Sequence, residues 1–247
     1  MANKVVAIIQ ARMGSTRLPG KMGMNLCGMP VIDWVLNRTK LAQCLDDIVL
    51  ATSKKREDDF LEDAGNRHGV VVFRGHEKNV LRRFADAGKL TKADIVVRIC
   101  GDRPLIDPSL VDLAIKHFFD TSGDLSFNHI SEGKHNWPRG FGVEVFRQER
   151  LTSLDRHVSD ASAREHVTYY MWQNRRQFKI LPVPCPTHLN LSKPDVRFDL
   201  DEIYDLEKLE RLCTGLQWQV PAAEIIKVWL DGKGVERNSR ICHFRHV

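Results

Sequence analysis

Between Ile8 and Lys21 the chain reads I-I-Q-A-R-M-G-S-T-R-L-P-G-K, which places two arginines, a lysine and a Gly-Ser-Thr turn within fourteen residues. These residue types suit a polyphosphate. Exposed backbone N–H groups and the Ser15 hydroxyl can donate to phosphate oxygens, while Arg12, Arg17 and Lys21 supply charge-assisted contacts for a triphosphate and its departing pyrophosphate. The spacing is neither G-x-x-x-x-G-K-[ST] nor G-x-G-x-x-G, which excludes the P-loop and the dinucleotide fingerprint. Read as a flexible surface loop, the segment leaves Lys21 free to meet developing charge and adds little to packing.

Two carboxylate groupings accompany it. Asp102 lies in R-I-C-G-D-R-P-L-I-D-P, directly after an apolar run, so its side chain is expected at a sheet's carboxyl edge. A hard cation such as Mg²⁺ takes one or two protein carboxylates together with phosphate oxygens and water, and Asp102 suits a nucleotide-bound metal. Its alternative role is to cap the next turn, but Asp107 before Pro108 is the better N-cap. The second grouping is V-R-F-D-L-D-E-I-Y-D-L-E from Val196. Alternation there places Asp199 and Asp201 on one face of a short strand, and Asp201, nearer the following helix, is the better metal candidate. Taken alone, such an acidic run also reads as a solvated helix start.

The elements that must position these groups follow from periodicity. Lys4 to Ile9 is β-branched and apolar, as in a strand buried on both faces, and Ile48–Thr52, Val70–Phe73 and Asp94–Cys100 repeat the pattern. Between and after them, Pro30–Ala42, Arg56–His68, Asn79–Leu90 and Pro108–Phe119 have helical spacing. This βαβα rhythm predicts an α/β fold with a mainly parallel sheet, whose ligands bind at the strands' carboxyl ends. From Asp124 to Val145 the composition shifts to Gly, His, Asn and Pro, with Gly142–Phe146 the only good strand. A helix over Ala163–Asn174, a proline-punctuated stretch from Pro182 to Pro194, and helices over Ile203–Cys213 and Pro221–Leu230 complete the reading. One domain over residues 1–247 is expected, with about 124–194 as a substrate-binding and dimer-forming insertion.

Composition narrows the partners. The 247 residues carry 37 basic and 32 acidic side chains, a net charge of +5 without any like-charged block, which favours a small anionic substrate over nucleic acid. The six cysteines have no C-x-x-C pair and read as reduced thiols. No apolar run approaches the ~20 residues of a membrane helix, so a cytoplasmic location is expected.

The loop resembles that of the cytidylyltransferases that make CMP-activated sugar acids, especially their spore-coat polysaccharide branch. Further matching segments follow in order: F-R-G-H-E-K-N-V-L-R-R-F from Phe73, V-R-I-C-G-D-R-P-L-I-D-P from Val97, G-V-E-V-F from Gly142, R-E-H-V-T from Arg164 and L-D-E-I-Y-D-L-E from Leu200. The resemblance implies a nucleotide-diphosphosugar-transferase-like, Rossmann-like fold that dimerises, and a Mg²⁺-dependent transfer of CMP from CTP with release of pyrophosphate. It implies that Arg12, Ser15, Arg17 and Lys21 bind the phosphates, that Asp102 and Asp201 hold metal, and that Ala51, Thr52 and Ser53 meet the base. Where the branch often has Y-P-D-G-L-D-V-E-V-F, this chain has W-P-R-G-F-G-V-E-V-F, so Arg139 makes the acceptor pocket more cationic. Arg164 and His166 are further candidates for acceptor contacts, although a helical His beside Glu165 is as often structural.

A keto-sugar acid is the default acceptor. A small phosphonate is the nearest rival, since Arg139 and Arg164 suit a dianionic head group as well as a carboxylate. A nucleotide-sugar-dependent glycosyltransferase would show a D-x-D motif, and Asp199-Leu200-Asp201 is outside the central position expected for it. A purely nucleotide-binding protein has little need for both metal carboxylates and a cationic cradle.

Overall fold

The computed structural model describes residues 3–129, 137–189 and 196–233. Parts of the two segments from Asp124 to Val145 and from Pro182 to Pro194, and Cys242, lie outside the described residues. A seven-stranded sheet runs in the order β5-β4-β1-β6-β8-β7-β9. Its strands are β1 (Val5–Gln10), β4 (Asp47–Ser53), β5 (Val71–Gly75), β6 (Ile95–Cys100), β7 (Leu125–Phe127), β8 (Glu144–Arg147) and β9 (Ile180–Pro182), while β2 (Asn25–Leu26) and β3 (Met29–Pro30) form a small separate hairpin. Only β8 runs against the rest of the large sheet, pairing antiparallel with β6 and β7. The mainly parallel α/β fold expected from the sequence is therefore present.

Alternation along β1 explains the two cores. Ala7 and Ile9 join the cluster packed by α1 (Val31–Thr39), α2 (Asp59–Arg67), α4 (Pro108–Thr121), α8 (Ile203–Cys213) and α9 (Ala222–Val228). Val6 and Ile8 join the other, packed by α3 (Val80–Leu90), α5 (Gln148–His157), α6 (Ala161–Glu165) and α7 (Tyr169–Gln173). Burial on both faces makes β1 uniformly apolar until Gln10. Asp107 caps α4 as expected, accepting from Ser109 and Leu110 N–H groups.

Three expectations need correction. The helix over 163–174 is two short helices, because His166 takes an extended conformation and β-branched Val167 and Thr168 follow. Arg56–Asp58 is a separate 3₁₀ turn before α2. No strand carries Asp199 and Asp201; residue 197 makes only an isolated bridge with Arg139. Among the described residues no helix is long and apolar enough to cross a membrane, and five cysteines are free thiols.

Candidate active site

The carboxyl ends of β1 and β6 open onto a cavity of about 310 Å³. Gly101 brings the two strand ends together: its N–H donates to the Gln10 carbonyl at 2.8 Å, and a Cβ there would lie only 3.0 Å from that oxygen. Asp102 is thereby set beside the loop that leaves β1. The loop is folded on itself, with Ser15 and Gly20 N–H groups both donating to the Met13 carbonyl. It is pinned from outside by buried Asp58, which accepts from the Met13 N–H at 2.7 Å and from the Ser53 backbone and hydroxyl. Gly20 has φ +74°, a left-handed conformation that turns the chain so that Lys21 enters the interior.

Lys21 is the first departure from expectation. It is 6% exposed, and its ammonium donates to the Leu200 carbonyl at 2.6 Å, to Asp102 Oδ2 at 3.0 Å and to Asp201 Oδ1 at 3.4 Å. The lysine read as a flexible loop cation is thus a buried tie between the two metal candidates. Asp201 also pairs with Arg17 at 2.9 Å and Arg197 at 3.0 Å, and stands just before α8, whose capping box joins Glu202 and Asp205. Asp199 faces elsewhere, 3.2 Å from Arg139 and 3.9 Å from Arg103, and burial pushes its carboxyl upward. Asp199 and Asp201 therefore form no D-x-D metal pair, which removes the basis of the glycosyltransferase alternative.

Two carboxylates converging on one cationic point fit a magnesium ion that takes its remaining ligands from phosphates and water. Asp102 and Asp201 are the residues that would hold it. Among the described residues no set of three or more His, Cys, Asp or Glu side chains is grouped for metal binding.

The cavity gathers Arg12, Ser15, Arg17, Lys21, Asp102, Asp201 and His166 from the expected set. Ser15 Oγ accepts from the Leu18 N–H at 3.3 Å, leaving the hydroxyl proton to donate outward. Ala51, Thr52 and Ser53 do not line it, being fully or almost fully buried at the end of β4. Arg139 and Arg164 also stand outside its wall. Arg139 pairs with Asp199, while Arg164 holds the side chain and carbonyl of Asp155 at 2.5 and 2.6 Å.

Comparison with known proteins decides the family. The cytidylyltransferase family profile matches residues 6–225. This chain belongs to the cytidylyltransferase family. It is 33% identical over 231 residues to the spore coat polysaccharide biosynthesis protein SpsF of Bacillus subtilis, covering 91% of this chain and 93% of that one. It is 30% identical over 221 residues to the 8-amino-3,8-dideoxy-manno-octulosonate cytidylyltransferase of Shewanella frigidimarina, covering 85% and 84% respectively. The structure of a cytidylyltransferase from Leptospira borgpetersenii superposes with a TM-score of 0.87 at 31% identity, covering 98% of this chain and 100% of that one.

Side chains that the motifs do not single out share the cavity. Gln10, Val80, Arg83, Cys100 and Glu165 line the same cavity. Arg83 is 3% exposed and donates to the His76 and Glu77 carbonyls at 2.7 and 3.1 Å, while burial and nearby Arg12 lower its pKa to about 10. It lies within the matching segment from Phe73, and its position on the buried face of α3, among Val80, Phe84 and Ala87, is the available signal. Arg38, wholly buried, donates to the Leu105, Ile106, Trp218 and Val220 carbonyls and so braces the turn after Asp102.

Proposed function

We propose that this cytidylyltransferase transfers CMP from CTP to an anionic acceptor, a keto-sugar acid, with release of pyrophosphate and dependence on Mg²⁺. The observation that carries the proposal is the convergence of Asp102 and Asp201 on Lys21 inside a cavity walled by Arg12, Ser15 and Arg17. The similarity to an amino-sugar-acid cytidylyltransferase supports the acceptor class. In this reading the chain is one domain, its 124–194 region is an insertion that binds acceptor and joins two copies, and the enzyme works in the cytoplasm.

The chemistry then needs no protein nucleophile. An acceptor hydroxyl oxygen bonds to the α-phosphorus of CTP, the bond from that phosphorus to the bridging oxygen breaks, and the hydroxyl proton passes to solvent. Pyrophosphate leaves with the bonding pair. Arg12, Arg17 and Lys21 stabilise the charge that builds on the bridging and β-phosphate oxygens, and Ser15 orients a phosphate by donating a hydrogen bond. Bound Mg²⁺, held by Asp102 and Asp201, would supply further positive charge at the phosphates. The base of CTP is assigned to the carboxyl end of β4 near Ala51–Ser53, on the strength of the resemblance.

Pyrophosphate release tests this reading. The enzyme is incubated with Mg²⁺, each nucleoside triphosphate in turn, and either 3-deoxy-manno-octulosonate, its 8-amino analogue, N-acetylneuraminate or a small phosphonate. Release with CTP and a sugar acid is expected. Release only with the phosphonate would move the acceptor class, and none with any acid would refute the reading.

A further inference from the structure

One wall of the cavity is set by a buried polar chain that the phosphate cradle does not use. Gln10 ends β1, and its side-chain oxygen accepts from Arg98 Nε at 3.0 Å. Arginine has only donors, so the amide is turned with its oxygen to Arg98 and its NH₂ group away from it. No acceptor for that NH₂ is present among the described residues, and Gln10 lines the cavity. Arg98 in turn binds Glu144, its register partner on β8, at 2.5 Å. Glu144 is 2% exposed, and its other oxygen accepts from the Thr168 hydroxyl at 2.7 Å. Thr168 lies two residues beyond His166, which also lines the cavity. A single buried carboxylate thus orients Gln10 and anchors the backbone that carries His166.

A buried ion pair is weak evidence for stability, because desolvation offsets much of its attraction. Its geometric effect here is definite. Sheet order places β4, with Ala51–Ser53, on one side of β1, and β6 with β8 on the other. Arg98 draws the Gln10 amide toward the β6 side, away from the edge assigned to the base. We propose that Gln10 donates its amide N–H to a carboxylate oxygen of the acceptor, and that Glu144 is the positioning residue that fixes the donor's direction through Arg98. The inference rests on the function proposed above, and it names a specificity-determining contact within that site.

Gln10→Glu keeps the size of the side chain and replaces the donor by an anionic oxygen. With 3-deoxy-manno-octulosonate as acceptor, its KM should rise at least about tenfold, while the Kd of CTP measured calorimetrically without acceptor stays within about twofold. Gln10→Ala should raise the acceptor KM by roughly three- to tenfold. Glu144→Gln should follow the same split, with a higher acceptor KM and unchanged CTP binding; a role in folding alone would instead lower the active fraction and kcat and leave both constants unmoved. Equal weakening of CTP and acceptor by Gln10→Glu would place Gln10 at the nucleotide and overturn the inference, as would no change in either. The same split is read with whichever sugar acid the wild-type enzyme accepts, and if it binds CTP but releases no pyrophosphate with any sugar acid, the underlying reading fails and the inference falls with it.

Discussion

Replacing Lys21 by alanine tests the centre of the site, and the structure reverses what a loop lysine suggests. At an effective dielectric constant of 20, a unit charge 3.0 Å from Asp102 Oδ2 and 3.4 Å from Asp201 Oδ1 has a gross attraction of roughly 5 kcal/mol to each. Desolvation of the buried ammonium offsets much of that sum, and breaking such a buried arrangement from one side costs about 3–5 kcal/mol because the partners are left uncompensated. Arg17 and Arg197 still neutralise part of Asp201, so the lower figure applies. A loss of about 3 kcal/mol in a chain of this size lowers the thermal midpoint by roughly 6–12 °C. Millimolar Mg²⁺ should restore part of the loss, since a divalent ion can take the place of the ammonium between two carboxylates, and apo-protein affinity for Mn²⁺ should rise relative to wild type. Scanning calorimetry with and without Mg²⁺, and Mn²⁺ titration followed by electron paramagnetic resonance, read the two effects. A midpoint within about 2 °C of wild type, together with unchanged Mn²⁺ affinity, would falsify the assignment of Lys21 as the tie between Asp102 and Asp201.

Asp102→Asn should abolish Mg²⁺-dependent pyrophosphate release while CTP still binds, because the amide keeps the shape and loses the charge; wild-type turnover with the same Mg²⁺ dependence would reduce Asp102 to a turn residue. Arg139→Asp should weaken an anionic acceptor by about tenfold with CTP little affected, the effect being moderated because Arg139 already pairs with Asp199; equal losses for both substrates in steady-state kinetics would exclude a selective role. The contribution of His129 to stability should be constant just above pH 6.5 and fall as the pH drops from 6.5 to 4, because burial lowers the His129 pKa from 6.5 to about 4 and the unfolded chain alone binds a proton in that window. The effect is up to roughly 3 kcal/mol. Burial alone would raise the Glu144 carboxyl, yet Arg98, His129 and Thr168 hold it at about 2 against an ordinary 4.5, so its contribution is complete above pH 4.5 and is lost toward pH 2. Denaturant midpoints of His129→Phe should lose the slope between pH 6.5 and 4, and an identical pH profile would show that another group titrates there.

The strands legible in the sequence are those whose burial on both faces makes them continuous apolar runs. The apolar runs mark β1, β4, β5 and β6 to within one or two residues because each needs no distant partner to be recognised. β7 and β9 are not marked, since three-residue strands such as Leu125–Phe127 acquire meaning only by pairing, here with Glu144–Phe146 and Ile180–Pro182. The α5 helix is not legible for a similar reason: its buried face is little more than Leu151 and Leu154 among charged neighbours. In the site, the cationic loop and the carboxylates of Asp102 and Asp201 that line the cavity are readable because their chemistry is written in residue type. The burial of Lys21 is not, because it depends on the Leu200 carbonyl 179 residues away. Gln10 stood inside the quoted loop string, and a neutral amide carries no signal until its orienting partner is known. That partner was visible as an anomaly. Arg98 interrupts the apolar run I-V-V-R-I-C, and Glu144 interrupts G-V-E-V-F. A lone charge inside a doubly buried strand is too costly to leave unpaired, so two such interruptions of opposite sign predict that their strands are neighbours in register. The pairing of Arg98 with Glu144 is that neighbour relation, and it ties a strand from the regular half of the chain to one from the irregular middle.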